Sequence, residues 1–232
     1  VETIIVNSGN SDESIVLRTD LFDPSGMLVD TIISNSMVPS GKKEKVIHVV
    51  PVKMPSLWSV DEPNLYQAKV SVHKNDNVVD CMATHFGIRT IKADAQNGLT
   101  INGKPVEMIG GSIHHDNGPL GAAAIGRAEE RKIEILKKSG FNAIRTAHNP
   151  PSSALLDACD RLGMLVINEI FDVWESAKRN QDYHLYFDDW WQKDVESWIK
   201  RDRNHPSVII WSIGNEIRET FDTSGLRIAR SL

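Results

Sequence analysis

The sequence has little cysteine: two residues, Cys81 and Cys159, among 232. Two thiols cannot build a disulfide framework, and their spacing is not that of a metal site. No apolar run reaches the roughly 18 residues that would cross a bilayer. There is no basic tract, and the formal net charge is −5, so nucleic acid and membrane are not expected partners. There is no Walker sequence and no G-x-G-x-x-G; Gly110-Gly111-Ser112 comes nearest and has the wrong spacing. Nucleotide binding is therefore not expected. With 15 glycines and 10 prolines, the chain is neither collagen-like nor low-complexity. Residues 1–8 do not read as a charged leader segment. The chain begins inside a strand-like run, VETIIV, and stops inside a helical pattern, IARSL. Both ends look cut, which predicts a piece of a longer protein.

Of what is present, the length fits one large domain or two modest ones at about 150 residues each. The pattern changes near residue 90. Before it, short alternating runs are separated by turn residues: 4–6, 14–22, 27–33, 45–50, 66–72 and 78–86, with Asp23-Pro24-Ser25-Gly26 and Asn75-Asp76-Asn77 as turns. Six or seven such strands predict an immunoglobulin-like β-sandwich over residues 1–90. After residue 105 the order becomes strand, loop, helix, repeated. Strands are expected at 106–109, 143–145, 165–168 and 208–213, with helices at 127–139, 152–162 and 190–203 and a last one from Thr220. Four such units over residues 91–232 fit half of a (β/α)₈ barrel, which needs about 250 residues.

In such barrels the chemistry collects at the C-terminal strand ends. After the first strand come His114, His115 and Asp116; after the second, Arg145, His148 and Asn149; after the third, Glu169, Asp172 and Trp174; after the fourth, Asn215 and Glu216. Glu216 follows an apolar strand, so its carboxyl is expected at the rim of a dry core. Burial there would raise its pKa and suit a general acid; a helix N-terminal carboxylate explains the position equally well. Asn215 offers a donor and an acceptor to a sugar hydroxyl, or caps a helix. The histidines are open to metal binding, hydroxyl recognition or a structural role. The adjacent pair His114-His115 lacks the alternation that aims two ligands at one side of a strand. Arg145 orients a carboxylate or forms a buried ion pair. Asp116 and Asp172 accept from hydroxyls or are solvated loop groups. Eleven of the fifteen aromatics follow residue 140; most belong to a core. Trp174, in a loop after a strand, is the expected stacking platform for a pyranose ring, and the segment 183–191 is a subsite wall or simple packing.

These residues form a pattern. Asn142 to Pro150, with Asp160 and Gly163, resembles the first signature of glycoside hydrolase family 2. Asp202 to Glu216 (DRNHPSVIIWSIGNE) resembles its second. The segments 58–66 and 86–89 are similar to parts of the immunoglobulin-like domain preceding that family's TIM barrel, and 102–105 is similar to the barrel entry. The resemblance implies a retaining glycosidase of the β-galactosidase or β-glucuronidase type, working with two carboxylates about 5–5.5 Å apart. It implies Glu216 as general acid/base, Asn215 on the sugar 2-hydroxyl, Arg145 orienting the nucleophile, and His148 and His115 lining the sugar pocket, with Asp116, Asp172 and Trp174 as further substrate contacts. Asn149 departs from the commoner tyrosine. No cofactor and no metal are assigned. The nucleophile, a Glu after the seventh strand, falls outside the chain, so this piece alone is expected to be inactive. Its open sheet edges favour self-association. A periplasmic or secreted location is common among such enzymes. A noncatalytic carbohydrate-binding module and a histidine-based metallohydrolase are the alternatives.

Overall fold

The computed structural model describes residues 1–221 and 223–231. Two compact units emerge: Val1–Leu57 with Asn64–Ile88, and Trp58–Pro63 with Arg89–Leu232. Among the described residues, no helix is long and apolar enough to cross a membrane.

The first unit contains six strands: β1 (Glu2–Val6), β2 (Glu13–Phe22), β3 (Leu28–Val38), β4 (Lys43–Ile47), β5 (Tyr66–Lys74) and β6 (Asn77–Phe86). They form an antiparallel four-stranded sheet, β3-β2-β5-β6, and a two-stranded sheet, β1-β4. The alternation of β2 explains the packing. Ile15, Leu17, Thr19 and Leu21 are buried, whereas the residues between them are only partly covered. Ile15, Leu17 and Val38 form a core closed by Ile5 and Val46 from the small sheet and Val70 and Val72 from β5. Asn75 and Asp76 both have positive φ (48° and 63°), as a two-residue hairpin between β5 and β6 requires. Strand β3 runs to Val38, beyond the apolar run that ends at Ile33, because it pairs with β2 along its whole length. The buried His48 ring bonds Thr19 Oγ1 at 2.9 Å and Ser34 Oγ at 2.8 Å.

The second unit opens with a small antiparallel sheet of β7 (Ile91–Asp94), β8 (Gly98–Ile101) and β9 (Lys104–Pro105). A parallel sheet follows, β10 (Gly110–Ile113), β11 (Ala143–Thr146), β12 (Leu165–Glu169) and β13 (Val208–Ser212), paired in that order. Helices α1 (Gly126–Lys138), α2 (Ser153–Leu162) and α3 (Phe187–Asp202) connect successive strands, and α4 (Thr223–Ser231) comes after β13. Ser152 caps α2 by accepting from Leu155 N, and Gly163 ends it in the left-handed region. Apolar residues of α1 and α2 (Ile133, Leu155, Leu156, Cys159) pack on Ile144, Val166 and Val208 of the sheet. A second cluster joins Ile170, Phe171 and Trp174 to Phe187 and Trp198 of α3.

Strand β10 and helix α3 also start elsewhere than the sequence suggests. The first barrel strand is Gly110–Ile113, not 106–109, and Met108 and Ile109 are exposed. Apolar character pointed to the wrong residues because β10 needs glycine for close approach: a Cβ on Gly110 would lie 1.7 Å from Ala143 O. Helix α3 starts at Phe187 rather than at residue 190, since Phe187 is a core residue.

Candidate active site

The C-terminal ends of β10 to β13 bring polar side chains together around one buried carboxylate. Glu169, the last residue of β12, is fully buried. Its Oε2 accepts from Arg145 Nε (3.1 Å), Arg145 Nη2 (2.7 Å) and Ser212 Oγ (2.7 Å); its Oε1 bonds His148 Nδ1 at 2.8 Å. A carboxylate so supplied is paired within the fold. Arg145 Nη2 also donates to Asn215 Oδ1 at 2.9 Å. This arrangement links the ends of β11, β12 and β13.

Asn215 is the second junction. Its Nδ2 donates to Asp172 Oδ1 at 2.9 Å, its backbone N–H to Phe171 O at 3.0 Å, and its carbonyl accepts from Lys178 Nζ at 2.8 Å. Lys178 Nζ also donates to Asp172 Oδ1 at 2.7 Å. Partial burial pushes the Asp172 carboxyl up, but the hydrogen bonds from Lys178 and Asn215 outweigh it and hold the group below its ordinary value. Glu216 follows in the left-handed region, with φ 49°. Its side chain is 82% exposed and lies 3.8 Å from Lys178 Nζ.

That exposure corrects the expectation of a Glu216 carboxyl buried at a dry rim. Trp174 is also corrected. It is 1% exposed, donates Nε1–H to Ile213 O at 2.8 Å and stacks on Phe187. A ring enclosed in the core offers no face to a sugar. Within the segment 183–191, Tyr183, Phe187 and Trp191 pack in the same cluster, while Leu185, Tyr186 and Trp190 are exposed.

The remaining expected residues stand apart from the network. His115 Nε2 bonds Pro150 O at 3.1 Å, and Asp116 Oδ1 accepts from Gly118 N at 2.8 Å within its own loop. His114 meets His148 edge-on, at 5.4 Å between centroids. Among the described residues, the group of side chains able to hold a metal ion is Asp157, Asp160 and His205, not the histidines after β10 and β11. In that group Asp160 accepts from Ser207 N, just before β13, so it lies at the opposite end of the sheet.

Comparison with known proteins decides the family. The profile of glycosyl hydrolases family 2, TIM barrel domain, matches residues 93–229, and that of glycosyl hydrolases family 2 matches residues 1–89. This chain belongs to glycosyl hydrolase family 2. The family 2 chain is 43% identical over 217 residues to a Bacteroides ovatus protein named beta-galactosidase BoGH2A, covering 94% of the chain and 26% of that protein. It superposes on a family 2 member from Bacteroides cellulosilyticus with a TM-score of 0.94 at 46% identity, covering 99% of the chain and 30% of the other. A Bacteroides uniformis beta-glucuronidase gives 0.83 at 26% identity, with 96% and 27% covered. The chain thus spans about a quarter of the length of the curated relative it matches. It holds the family's immunoglobulin-like sandwich and the first four β/α units of its TIM barrel.

Sequence reasoning left Lys178 and Ser212 out of this cluster and gave Glu169 no role. The signal for Glu169 was present, as a carboxylate ending an otherwise apolar buried strand. Lys178 sits in a polar loop, SAKRNQD, where nothing in the local sequence sets it apart.

Proposed function

We propose that this chain carries the general acid/base half of a retaining β-glycosidase, with a terminal β-galactoside as substrate. The supporting observation is the Asn215-Glu216 turn. Glu169 is saturated inside the fold, whereas Glu216 is held beside a fixed Asn215 with its own carboxyl exposed, 3.8 Å from Lys178 Nζ. Glu216 protonates the leaving glycosidic oxygen. A glutamate from a later barrel strand, outside this chain, attacks the anomeric carbon, and Glu216 as carboxylate then activates water. Asn215 spends one amide hydrogen on Asp172 and directs the other to the sugar 2-hydroxyl. Arg145, anchored on Glu169, orients the nucleophile; His148, His115, Asp116 and Asp172 line the mouth. The sandwich ends near residue 90 and the barrel follows. Lacking the second carboxylate, the isolated chain is inactive.

The test is Glu216→Gln in the full-length protein containing this chain, assayed on phenyl and 2,4-dinitrophenyl β-galactosides and the matching β-glucuronides. Loss of kcat of about 10²–10⁴-fold on the phenyl glycoside is expected, the range for a positioned general acid. The dinitrophenyl glycoside needs no protonation and keeps a much faster first step. Equal loss on both substrates defeats the assignment. A preference for glucuronides redirects the sugar while keeping the mechanism.

A further inference from the structure

Lys178 lies on the loop between β12 and α3, and its ammonium meets three oxygens of the site. It donates to Asp172 Oδ1 (2.7 Å) and to Asn215 O (2.8 Å), and sits 3.8 Å from Glu216 Oε2. The lysine is itself held in place. Asp182 Oδ2 accepts from Lys178 N at 2.9 Å and from Arg179 N at 2.7 Å. Asn215 is gripped at its backbone N–H by Phe171, at Oδ1 by Arg145 and at Nδ2 by Asp172. Each of those contacts fixes Asn215 and leaves the next peptide free to turn. The Asn215 carbonyl belongs to the peptide plane that leads into Glu216, and it is the atom Lys178 holds. Glu216 occupies the left-handed region at φ 49°, which disfavours residues other than glycine and persists only where surroundings enforce it.

We propose that Lys178 is a positioning residue for Glu216: by pinning the Asn215–Glu216 peptide to Asp172, it aims the Glu216 carboxyl at the leaving-group oxygen. The inference rests on the acid/base reading of Glu216. It assigns Lys178 no contact with the reacting atoms. Removing it should cost the step that needs a well-placed proton and spare the step that does not.

The experiment uses Lys178→Met and Lys178→Arg in the full-length protein, with phenyl and 2,4-dinitrophenyl β-glycosides of the sugar the wild type cleaves. For Lys178→Met, kcat/KM, which reports the first chemical step, should fall at least tenfold further on the phenyl glycoside than on the dinitrophenyl glycoside. Lys178→Arg, which keeps charge and donors, should recover most of that difference. An equal fall on both substrates makes Lys178 a loop brace and overturns the proposal. A change confined to KM makes it a sugar contact and also overturns it, as does wild-type behaviour. Thermal unfolding of each variant identifies a folding failure; Lys178→Gln, which keeps one donor, then carries the same comparison. Glu216→Gln run alongside separates the two ideas. If it shows no leaving-group dependence, the acid/base reading fails. If it does and Lys178→Met does not, only the present inference fails.

Discussion

The two units bury different kinds of polar group. In the sandwich the buried polar residues are Thr19, His48 and Ser71, none a carboxylate. In the barrel unit, Glu129, Asp160, Glu169, Asp202 and Glu219 are all buried. An antiparallel sandwich satisfies its backbone within its sheets and can leave one face wet, so little charge enters its core. A parallel sheet is covered on both faces, and its polar groups collect at the two strand ends. At one end Asp160 is spent on His205 (2.6 Å) and Ser207 N; on the α3 side of β12, Asp202 is spent on Arg201 and Asn168. At the other, Glu169 is spent likewise and Glu216 is not. Carboxylates at strand ends have similar sequence settings, and only the partners brought in by the fold separate the buried, saturated Glu169 from the exposed Glu216.

The contrast breaks most directly at Glu169. Glu169→Ala leaves Arg145 without its buried partner, and loss of about 3–5 kcal/mol is expected. Urea unfolding of the full-length protein measures it; a loss under about 1 kcal/mol would mean that the network is not structural.

The buried His48 and the partly buried His205 should pull stability in opposite directions with pH. Desolvation by burial lowers the pKa of His48. Its contribution is complete above the ordinary value near 6.5 and is lost as pH falls through the depressed one. For His205, desolvation opposes protonation, but Asp160, with Asp157 and Asp202, outweighs it and raises the pKa. That contribution is complete below about 6.5 and is lost as pH rises through the elevated value. His48→Gln should therefore flatten the acid side of the stability profile and His205→Gln the neutral-to-alkaline side. Both variants acting on the same side would erase the distinction.

The mildest probe is thiol labelling. Cys81 is exposed in the first unit; Cys159 is buried in the second, and burial raises its pKa well above the ordinary thiol value. Under native conditions an aromatic disulfide reagent should modify one thiol quickly. The second should react only as the barrel unit opens. Two fast thiols would show that α2 does not shield Cys159.

Much of this was legible locally. The alternation Ile15, Leu17, Thr19, Leu21 specifies a half-buried strand because the side-chain period is two. Ser152 and Gly163 bracket α2 through capping chemistry. The Asn-Glu after an apolar run marked residues 215 and 216. Strand β10 escaped notice because its defining feature is contact between its backbone and Ala143, which no apolar pattern records. Trp174 was misjudged because its position in a loop does not reveal that Phe187 and Ile213 close over it.

By itself, the sequence determined the kinds of element, their order, the family and the strand ends at which the polar residues gather. These follow from periodicity, caps and long signatures, all of which act between near neighbours in the chain. The tertiary structure alone decided which carboxylates are spent. Glu169 is tied to residues from β11 and β13, Trp174 is enclosed, and Lys178 is folded back onto Asn215. These outcomes depend on distances between segments far apart in the chain, and a hydrogen bond's worth is settled by whether both partners arrive together out of water.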